Sequence, residues 1–234
     1  MTTELLERAY RDVLVPSFPV DELTLLPDLT ESYAGAAPEP ATVVVDEKGE
    51  PVAAMLLEVF PRSGVLLLSY LAARADRRSR GVGRLLLTEH LARWRRAVRP
   101  AVVLAEIEDP RHHGVTRFGD PSARLRFYDR LGAGLLPLRY FQPSLRPGLS
   151  RVDGMFLIVL PGDGGEAPSW VDTATLEAFL EEYFVSCEGK ASAAEPRFVE
   201  VLAALRQNGS RTPVVRPLSE YAESVPSPSP REAG

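Results

Sequence analysis

The chain of 234 residues contains one cysteine, Cys187, three histidines and two lysines. A single cysteine excludes an intrachain disulfide, and no Cys/His cluster has the spacing of a zinc site. Long apolar runs are also missing, because the longest, residues 65–73, is far too short to span a bilayer. The N-terminal segment is acidic, unlike a signal peptide. We therefore expect a cytoplasmic protein that takes no metal and does not contact a membrane.

Arginine is abundant instead, with 25 of the 27 basic residues. The net charge is −5, and it is uneven: residues 161–234 carry 12 acidic and 6 basic side chains, whereas residues 1–160 carry 20 and 21. A nearly neutral first part lacks the basic surface of a nucleic-acid-binding protein, so we expect no nucleic-acid partner. The chain is long enough to bury a core of its own.

Hydrophobic periodicity over residues 1–160 predicts a helix, three strands, a helix, a strand, a helix and two strands. The predicted segments are residues 4–13, 41–46, 52–59, 65–73, 83–98, 101–107, 122–131, 134–140 and 152–160. This order indicates a mixed α/β domain, with parallel strand pairing where a helix intervenes.

Residues 161–212 are predicted to form a helical extension. Ser169 to Asp172 resembles a capping box in front of a first helix, and a second helix follows. Each helix has one apolar stripe, which packs either against the first domain or against a second subunit, so a homodimer is one alternative. The stripes are Leu176, Phe179, Leu180, Tyr183 and Phe184, and then Phe198, Val201, Leu202 and Leu205. Residues 213–234 are rich in proline and serine, and we expect a disordered tail.

The segment that carries chemistry is residues 71–85, LAARADRRSRGVGRL. A buried strand runs into a turn with Gly81 and Gly83, and the turn opens a helix. Backbone amides at a helix start have no intrahelical partner and favour an anion, so we expect a bound phosphate or pyrophosphate. The turn lacks the GK[ST] of a Walker loop, and Leu86 stands where a dinucleotide fingerprint needs its third glycine.

Two motifs resemble the GNAT superfamily of N-acetyltransferases. Arg78-x-x-Gly81-x-Gly83 matches the Q/R-x-x-G-x-G/A signature with which that family binds the pyrophosphate of acetyl-CoA. Residues 127–133, FYDRLGA, resemble the family's helix that ends YxKLGF. The resemblance covers about residues 41–160. It implies a mixed, mostly antiparallel sheet flanked by helices, with the helical extension outside it, and acetyl-CoA as cosubstrate.

The resemblance also implies roles for individual residues. The strand backbone at residues 71–73 would pair with the pantetheine and meet the oxyanion, and Arg78 with the amides of residues 80–84 would hold the pyrophosphate. The implied cofactor-binding residues are Leu71, Ala72, Ala73, Arg78, Arg80, Gly81, Val82, Gly83 and Arg84. Tyr128 would reprotonate the leaving thiolate, whose ordinary pKa is about 8.5. The alternative for Tyr128 is simple aromatic packing.

Acetylation of an amine also requires loss of a proton from the amine. Glu106 and Glu108 alternate onto one face of a regular strand, and either is a candidate base or an ion-pair partner for an arginine. In the family's pattern an asparagine precedes the tyrosine by seven residues, but here that position is Pro121. His112 and His113 lie on a long connection, either as surface residues or as part of a lid.

The family's usual first strand is missing, which leaves the loop around Phe18 and the segment with Tyr140 and Gln142 as candidate walls of the acceptor pocket. We therefore expect an N-acetyltransferase in which a primary amine, of a small molecule or a protein, directly attacks acetyl-CoA in a ternary complex. Two alternatives stay open: an acyltransferase with another acyl group or a hydroxyl acceptor, and an acyl-CoA-binding sensor or interaction module.

Overall fold

The computed structural model describes residues 2–33, 41–78, 80–162 and 164–220. Its centre is a seven-stranded sheet in the order β1-β2-β3-β4-β7-β5, with β6 also paired to β7. These strands are β1 (Ala41–Val45), β2 (Pro51–Phe60), β3 (Val65–Ala73), β4 (Val102–Glu108), β5 (Gly134–Leu135), β6 (Tyr140–Gln142) and β7 (Val152–Val159). The β3–β4 pair is parallel and the other pairs are antiparallel, as expected where a helix joins two neighbouring strands.

Helices cover both faces of this sheet. They are α1 (Thr3–Ala9), α2 (Leu26–Tyr33), α3 (Val82–Leu85), α4 (Leu91–Val98), α5 (Pro121–Asp129), α6 (Thr173–Glu188) and α7 (Pro196–Gln207). A π-helical turn (Tyr10–Leu14) extends α1, and a π-helical segment (Leu86–His90) joins α3 to α4. None of the described helices is long and apolar enough to cross a membrane. The mixed α/β class, the mostly antiparallel sheet and the C-terminal helices are confirmed.

Alternate side chains of the central strands point to opposite faces of the sheet, and their contacts show which helices cover each face. Leu66 and Leu68 of β3 share an apolar cluster with side chains of α4 and α5, whereas Val65 and Leu67 share another with α6 and α7. A third cluster joins α1 and α2 to β1, β2 and Tyr70. The apolar stripes of α6 and α7 therefore pack against the sheet of the same chain, which was one of the two expected alternatives.

The start of α6 differs from the expected capping box. The carboxylate of Asp172 accepts from the backbone amide of Thr175 at 2.9 Å, so Asp172 is the N-cap in place of Ser169. The reason is that residues 170–172 are extended and form β8 (Trp170–Asp172). This strand pairs antiparallel with β9 (Arg211–Pro213).

Two further segments differ from the sequence-based expectation. The strand expected over residues 134–140 is split into β5 and β6, because Pro137 lies between them and has no amide to donate to a ladder. Residues 213–220, placed in the expected tail, pack on the core: Val214 is 8% and Leu218 0% exposed. The backbone of Val215 exchanges two hydrogen bonds with Leu135, at 2.9 and 2.8 Å. Residues 221–234 lie outside the described residues.

Candidate active site

The two central strands separate where the site begins. β3 and β4 pair over four residue pairs, and the last is Leu68 with Ala105. On its other side β3 bulges, because Leu68 pairs with Leu57 and Tyr70 with Leu56. Within the described sheet, residues 71–73 pair only with β2, so the edge of β3 that faces β4 is open. The expected pantetheine-binding residues Leu71, Ala72 and Ala73 lie on this edge, where backbone groups need partners.

The bulge leaves Ser69 without a pairing partner at the narrow end of this opening, which we call the wedge. The Ser69 hydroxyl is buried and has no hydrogen-bond partner among the described residues. On β4, Glu106 is the first residue after the last pair with β3, so it also lies at the narrow end of the wedge.

The wide end of the wedge leads to the start of the α3–α4 helix. Gly81 caps this helix with φ +81°, a left-handed conformation that glycine adopts without strain. The first intrahelical bond runs from the amide of Leu85 to the carbonyl of Gly81 at 3.0 Å. The amides of residues 82–84 precede this bond and therefore have no acceptor within the helix. They lie at the positive end of the helix dipole.

Arginines surround this helix start. Arg78, Arg80 and Arg84 are exposed, and the Arg78 Nε donates to the carbonyl of Ala73 at 3.2 Å. A Cβ at Gly83 would lie 3.4 Å from the Phe127 ring, so α5 is adjacent. An open strand edge that ends at free amides and arginines fits an extended ligand with a diphosphate at one end.

Glu106 is the most strongly hydrogen-bonded acid at the wedge. Its carboxylate accepts from the hydroxyl of Tyr140 at 2.6 Å, the hydroxyl of Tyr183 at 3.1 Å and the Nε2 of Gln142 at 3.1 Å. Burial raises the pKa of Glu106, and the three hydrogen bonds oppose that rise. The donors are all neutral, and no ion pair to Glu106 occurs among the described residues. Such a carboxylate is a better proton acceptor than an exposed glutamate, because its pKa is raised.

Glu108 has a different environment. Its side chain is buried, and its carboxylate forms an ion pair with Arg124 of α5. The structure therefore places Glu108 in the expected alternative role of arginine partner, and Glu106 is left as the stronger candidate for a base.

Tyr128 projects from α5 into the apolar cluster that contains Leu68 of β3 and Ile107 of β4, one from each side of the wedge. Its hydroxyl has no hydrogen bond to any described residue, and burial raises its pKa to about 12, with Arg124 lowering it in part. The phenol is therefore protonated at neutral pH and can donate a proton. Helix α5 starts with Pro121 behind Asp120, whose carboxylate caps the amide of Ser122 at 2.9 Å.

Two of the three predicted acceptor-wall residues border Glu106, and the third packs on β3. Tyr140 and Gln142 contact Glu106 directly, and the ring of Phe18 packs edge-on against Tyr70 of β3, with ring centroids 5.1 Å apart. The Tyr70 hydroxyl in turn bonds to Thr24 at 3.0 Å, which fixes the loop after Phe18 against the sheet.

The two histidines lie elsewhere. The Nε2 of His113 is 2.7 Å from the carbonyl oxygen of Asp153, and His112 packs so closely on Gly154 that a Cβ there would lie 2.6 Å from the His112 Cβ. Both side chains thus attach their loop to the start of β7. The described residues contain no group of His, Cys, Asp and Glu that could hold a metal ion.

Sequence reasoning missed two residues of this site. Helical periodicity assigns Tyr183 only to the apolar stripe of α6, and it has no signal for the 3.1 Å hydrogen bond to Glu106. Glu22 lies in a proline-rich loop, and its pKa is raised to about 7 by burial and by the negative charges of Glu108 and Glu106, while Arg124 opposes the rise. No periodic pattern exists in such a loop to place its side chains.

Comparison with known proteins agrees with this geometry. Residues 7–119 match the model of the acetyltransferase (GNAT) family. A solved structure from Bacteroides thetaiotaomicron, described as a GNAT-family acetyltransferase, is similar with a TM-score of 0.51 and 24% identity over 69% of this chain and 85% of that one. A search of curated proteins found no match.

Two further solved structures are similar at lower scores. Ard1 from Thermoplasma volcanium has a TM-score of 0.47 and 17% identity, over 69% of this chain and 95% of its own. The ribosomal-protein-S18-alanine N-acetyltransferase from Escherichia coli has a TM-score of 0.45 and 18% identity, over 69% of this chain and 90% of its own. Residues 7–119 therefore match the GNAT acetyltransferase family, and the strand order around the wedge is that of a GNAT-like fold.

Proposed function

We propose that this protein transfers the acetyl group of acetyl-CoA to a primary amine by direct attack in a ternary complex. The observation that carries the proposal is the position of Glu106, which follows the last β3–β4 pair and so stands at the narrow end of the wedge. The family match supports acyl transfer, and the environment of Glu106 supports an amine, because an ammonium must lose its proton before it attacks.

The proposed binding site for acetyl-CoA follows the wedge. The backbone of Leu71, Ala72 and Ala73 would bind the pantetheine, and the amides of residues 82–84, with Arg78, would bind the pyrophosphate. Bound there, acetyl-CoA supplies an activated thioester. The free amides at the open edge of β3 would stabilise the negative charge that develops on the carbonyl oxygen.

The chain's own groups then move the protons. Glu106 accepts a proton from the incoming ammonium, so that the neutral amine can attack, and Tyr128 donates its proton to the sulfur when the carbon–sulfur bond breaks. The second proton that the nitrogen loses on becoming an amide returns to the Tyr128 phenolate. Cys187 is unsuited to carry the acetyl group, because burial raises the pKa of its thiol to about 12. This supports direct transfer over a route through an acyl-enzyme. The lone cysteine is also the basis for proposing a cytoplasmic location.

The test is a release assay for the CoA thiol with acetyl-CoA and a panel of primary amines, with the product identified by mass. We expect Glu106→Gln to lower kcat at least 100-fold, since a general base contributes about 10²–10⁴-fold, without loss of CoA binding. Full activity of this variant would remove Glu106 from the mechanism.

Cofactor binding is tested separately with two glycines. Gly81→Glu places a carboxylate at the helix start, whereas Gly49→Glu makes the same change in the β1–β2 hairpin. Both glycines have positive φ, +81° and +76°, and both have open space for a side chain, so their backbone strain is matched. We expect only Gly81→Glu to abolish acetyl-CoA binding. Equal binding by both variants would refute the proposed site.

A further inference from the structure

The acetyl transfer proposed above gives no role to Glu22. This residue follows Phe18 on the loop that is held against Tyr70, in the turn Val20–Glu22. Its carboxylate forms no ion pair or hydrogen bond with any described residue. Arg124 is near enough to affect it, but that guanidinium is bound by Glu108. Burial and the neighbouring acids raise the pKa of Glu22 to about 7. This rise indicates that no nearby positive charge fully balances the Glu22 carboxylate.

Gln142 provides a second, independent sign of a missing partner. Its side chain is 7% exposed, and its Nε2 donates to Glu106 at 3.1 Å. That bond fixes the orientation of the amide, since a carbonyl oxygen facing the carboxylate would be repelled. The Oε1 is buried and has no donor among the described residues. A buried acceptor without a donor points to a donor from outside the chain.

The remaining polar groups of the pocket narrow the chemistry of that donor. The hydroxyls of Tyr140 and Tyr183 are used on Glu106, and the hydroxyl of Tyr70 is used on Thr24. The groups left over are the Glu22 carboxylate and the Gln142 carbonyl, both acceptors, and the Ser69 hydroxyl, which can donate or accept. A ligand with N–H donors and positive charge satisfies them, whereas a carboxylate or phosphate would be repelled.

The reacting amine alone cannot compensate both carboxylates. It gives its proton to Glu106 before attack, so it is neutral when the new bond forms. The charge of Glu22 would then remain unbalanced in a partly buried environment, which is costly unless Glu22 binds a proton or a second cation is present.

We propose that the acceptor is an aliphatic diamine or polyamine: one amino group loses its proton to Glu106 and is acetylated, and another stays an ammonium held by Glu22, with the Gln142 carbonyl as a further acceptor. This inference rests on the proposed function, because it takes Glu106 as the base. It names the substrate class for the same pocket.

Calorimetric titration of the CoA-bound protein tests the inference without turnover. The probes are α,ω-diaminoalkanes of three to six carbons and the n-alkylamines of equal length, at one ionic strength. We expect at least one diamine to bind tenfold or more tightly than its matched monoamine. In Glu22→Gln this ratio should fall to about twofold or less, whereas Glu47→Gln, an exposed acid of the β1–β2 hairpin, should keep it.

Equal affinities at every length, no binding of any amine, or an unchanged ratio in Glu22→Gln would each overturn the inference. The same preparation separates the two proposals. A protein that binds CoA but does not prefer diamines refutes only the second cation, whereas a protein that does not bind CoA refutes the acetyltransferase proposal itself.

Discussion

Replacement of Tyr183 by phenylalanine removes one hydrogen bond from Glu106 and little else. The Tyr183 ring packs on Phe60 and Phe179, with centroids 5.6 Å away in both cases, and phenylalanine retains these contacts. What disappears is the hydroxyl that donates to the Glu106 carboxylate at 3.1 Å. This hydrogen bond lowers the pKa of Glu106, so its loss raises that pKa further.

The size of the effect follows from the charge of the acceptor. A hydrogen bond to a charged group contributes about 1.5–3 kcal/mol, and a part of that remains when the carboxyl is protonated. A difference of about 1.4 kcal/mol between the two protonation states equals about one pKa unit. We therefore expect Tyr183→Phe to raise the pKa of Glu106 by about one unit.

The assay is the pH dependence of kcat/KM for acetylation. Glu106 must be ionised to accept a proton, so the acidic limb of the profile should move up by about one pH unit, while the plateau at high pH stays within about twofold. Tyr140→Phe, which loses a 2.6 Å hydrogen bond to the same carboxylate, should shift the limb at least as far. Tyr33→Phe is the matched control, because its hydroxyl donates only to the backbone of Leu57.

Two results would refute this reasoning. An acidic limb that does not move in Tyr183→Phe would show that the hydrogen bond does not affect the catalytic proton transfer. A uniform loss of activity at all pH values would assign Tyr183 a packing role.

Three other perturbations have defined outcomes. Tyr128→Phe should lower kcat by about 10-fold or more with acetyl-CoA affinity unchanged, and an unaltered kcat would reduce Tyr128 to packing. Because the folded-state pKa of Glu22 is raised to about 7, native protein binds more protons than unfolded protein between about pH 4.5 and 7, and stability falls as pH rises through that window. Glu22→Gln should therefore raise Tm at pH 8 by about 2–4 °C, with little change at pH 4, as thermal scans would show. Gly134→Ala should destabilise the protein in urea unfolding by about 1–3 kcal/mol, because its Cβ would lie 2.3 Å from Val214 Cγ1, whereas Gly164→Ala has open space and should not.

Much of the fold follows from the sequence because its strands and helices have strong periodic signals. The apolar run of residues 65–73 is β3 to the residue, and the parallel β3–β4 pair follows from the intervening helix. The helix start capped by Gly81 is predictable too, since a strand, a glycine turn and a helix are adjacent in sequence. Local chemistry of this kind requires no knowledge of long-range contacts.

Contacts between distant segments were not predictable. Tyr183 is 77 positions from Glu106, and a tyrosine in an apolar stripe has the same periodicity whether or not its hydroxyl finds a carboxylate. Residues 213–220 contain few apolar side chains, but Leu218 is buried and its amide donates to Asp129 at 2.7 Å. Such a segment is ordered by its contacts with a sheet edge and a helix, and these contacts cannot be predicted from its composition.

The hydrogen bonds of Glu106 have a consequence for the smallest catalytic unit. All three donors, Tyr140, Gln142 and Tyr183, lie beyond residues 7–119 of the family match, so the basicity of the proposed base depends on parts of the chain outside that match. Tyr183 is the donor that comes from α6. A fragment ending at residue 160 would uncover the apolar face of β4 and β7 and leave Glu106 with fewer donors. A change in the C-terminal helices would therefore shift the pKa of Glu106, even if every residue of the wedge were kept.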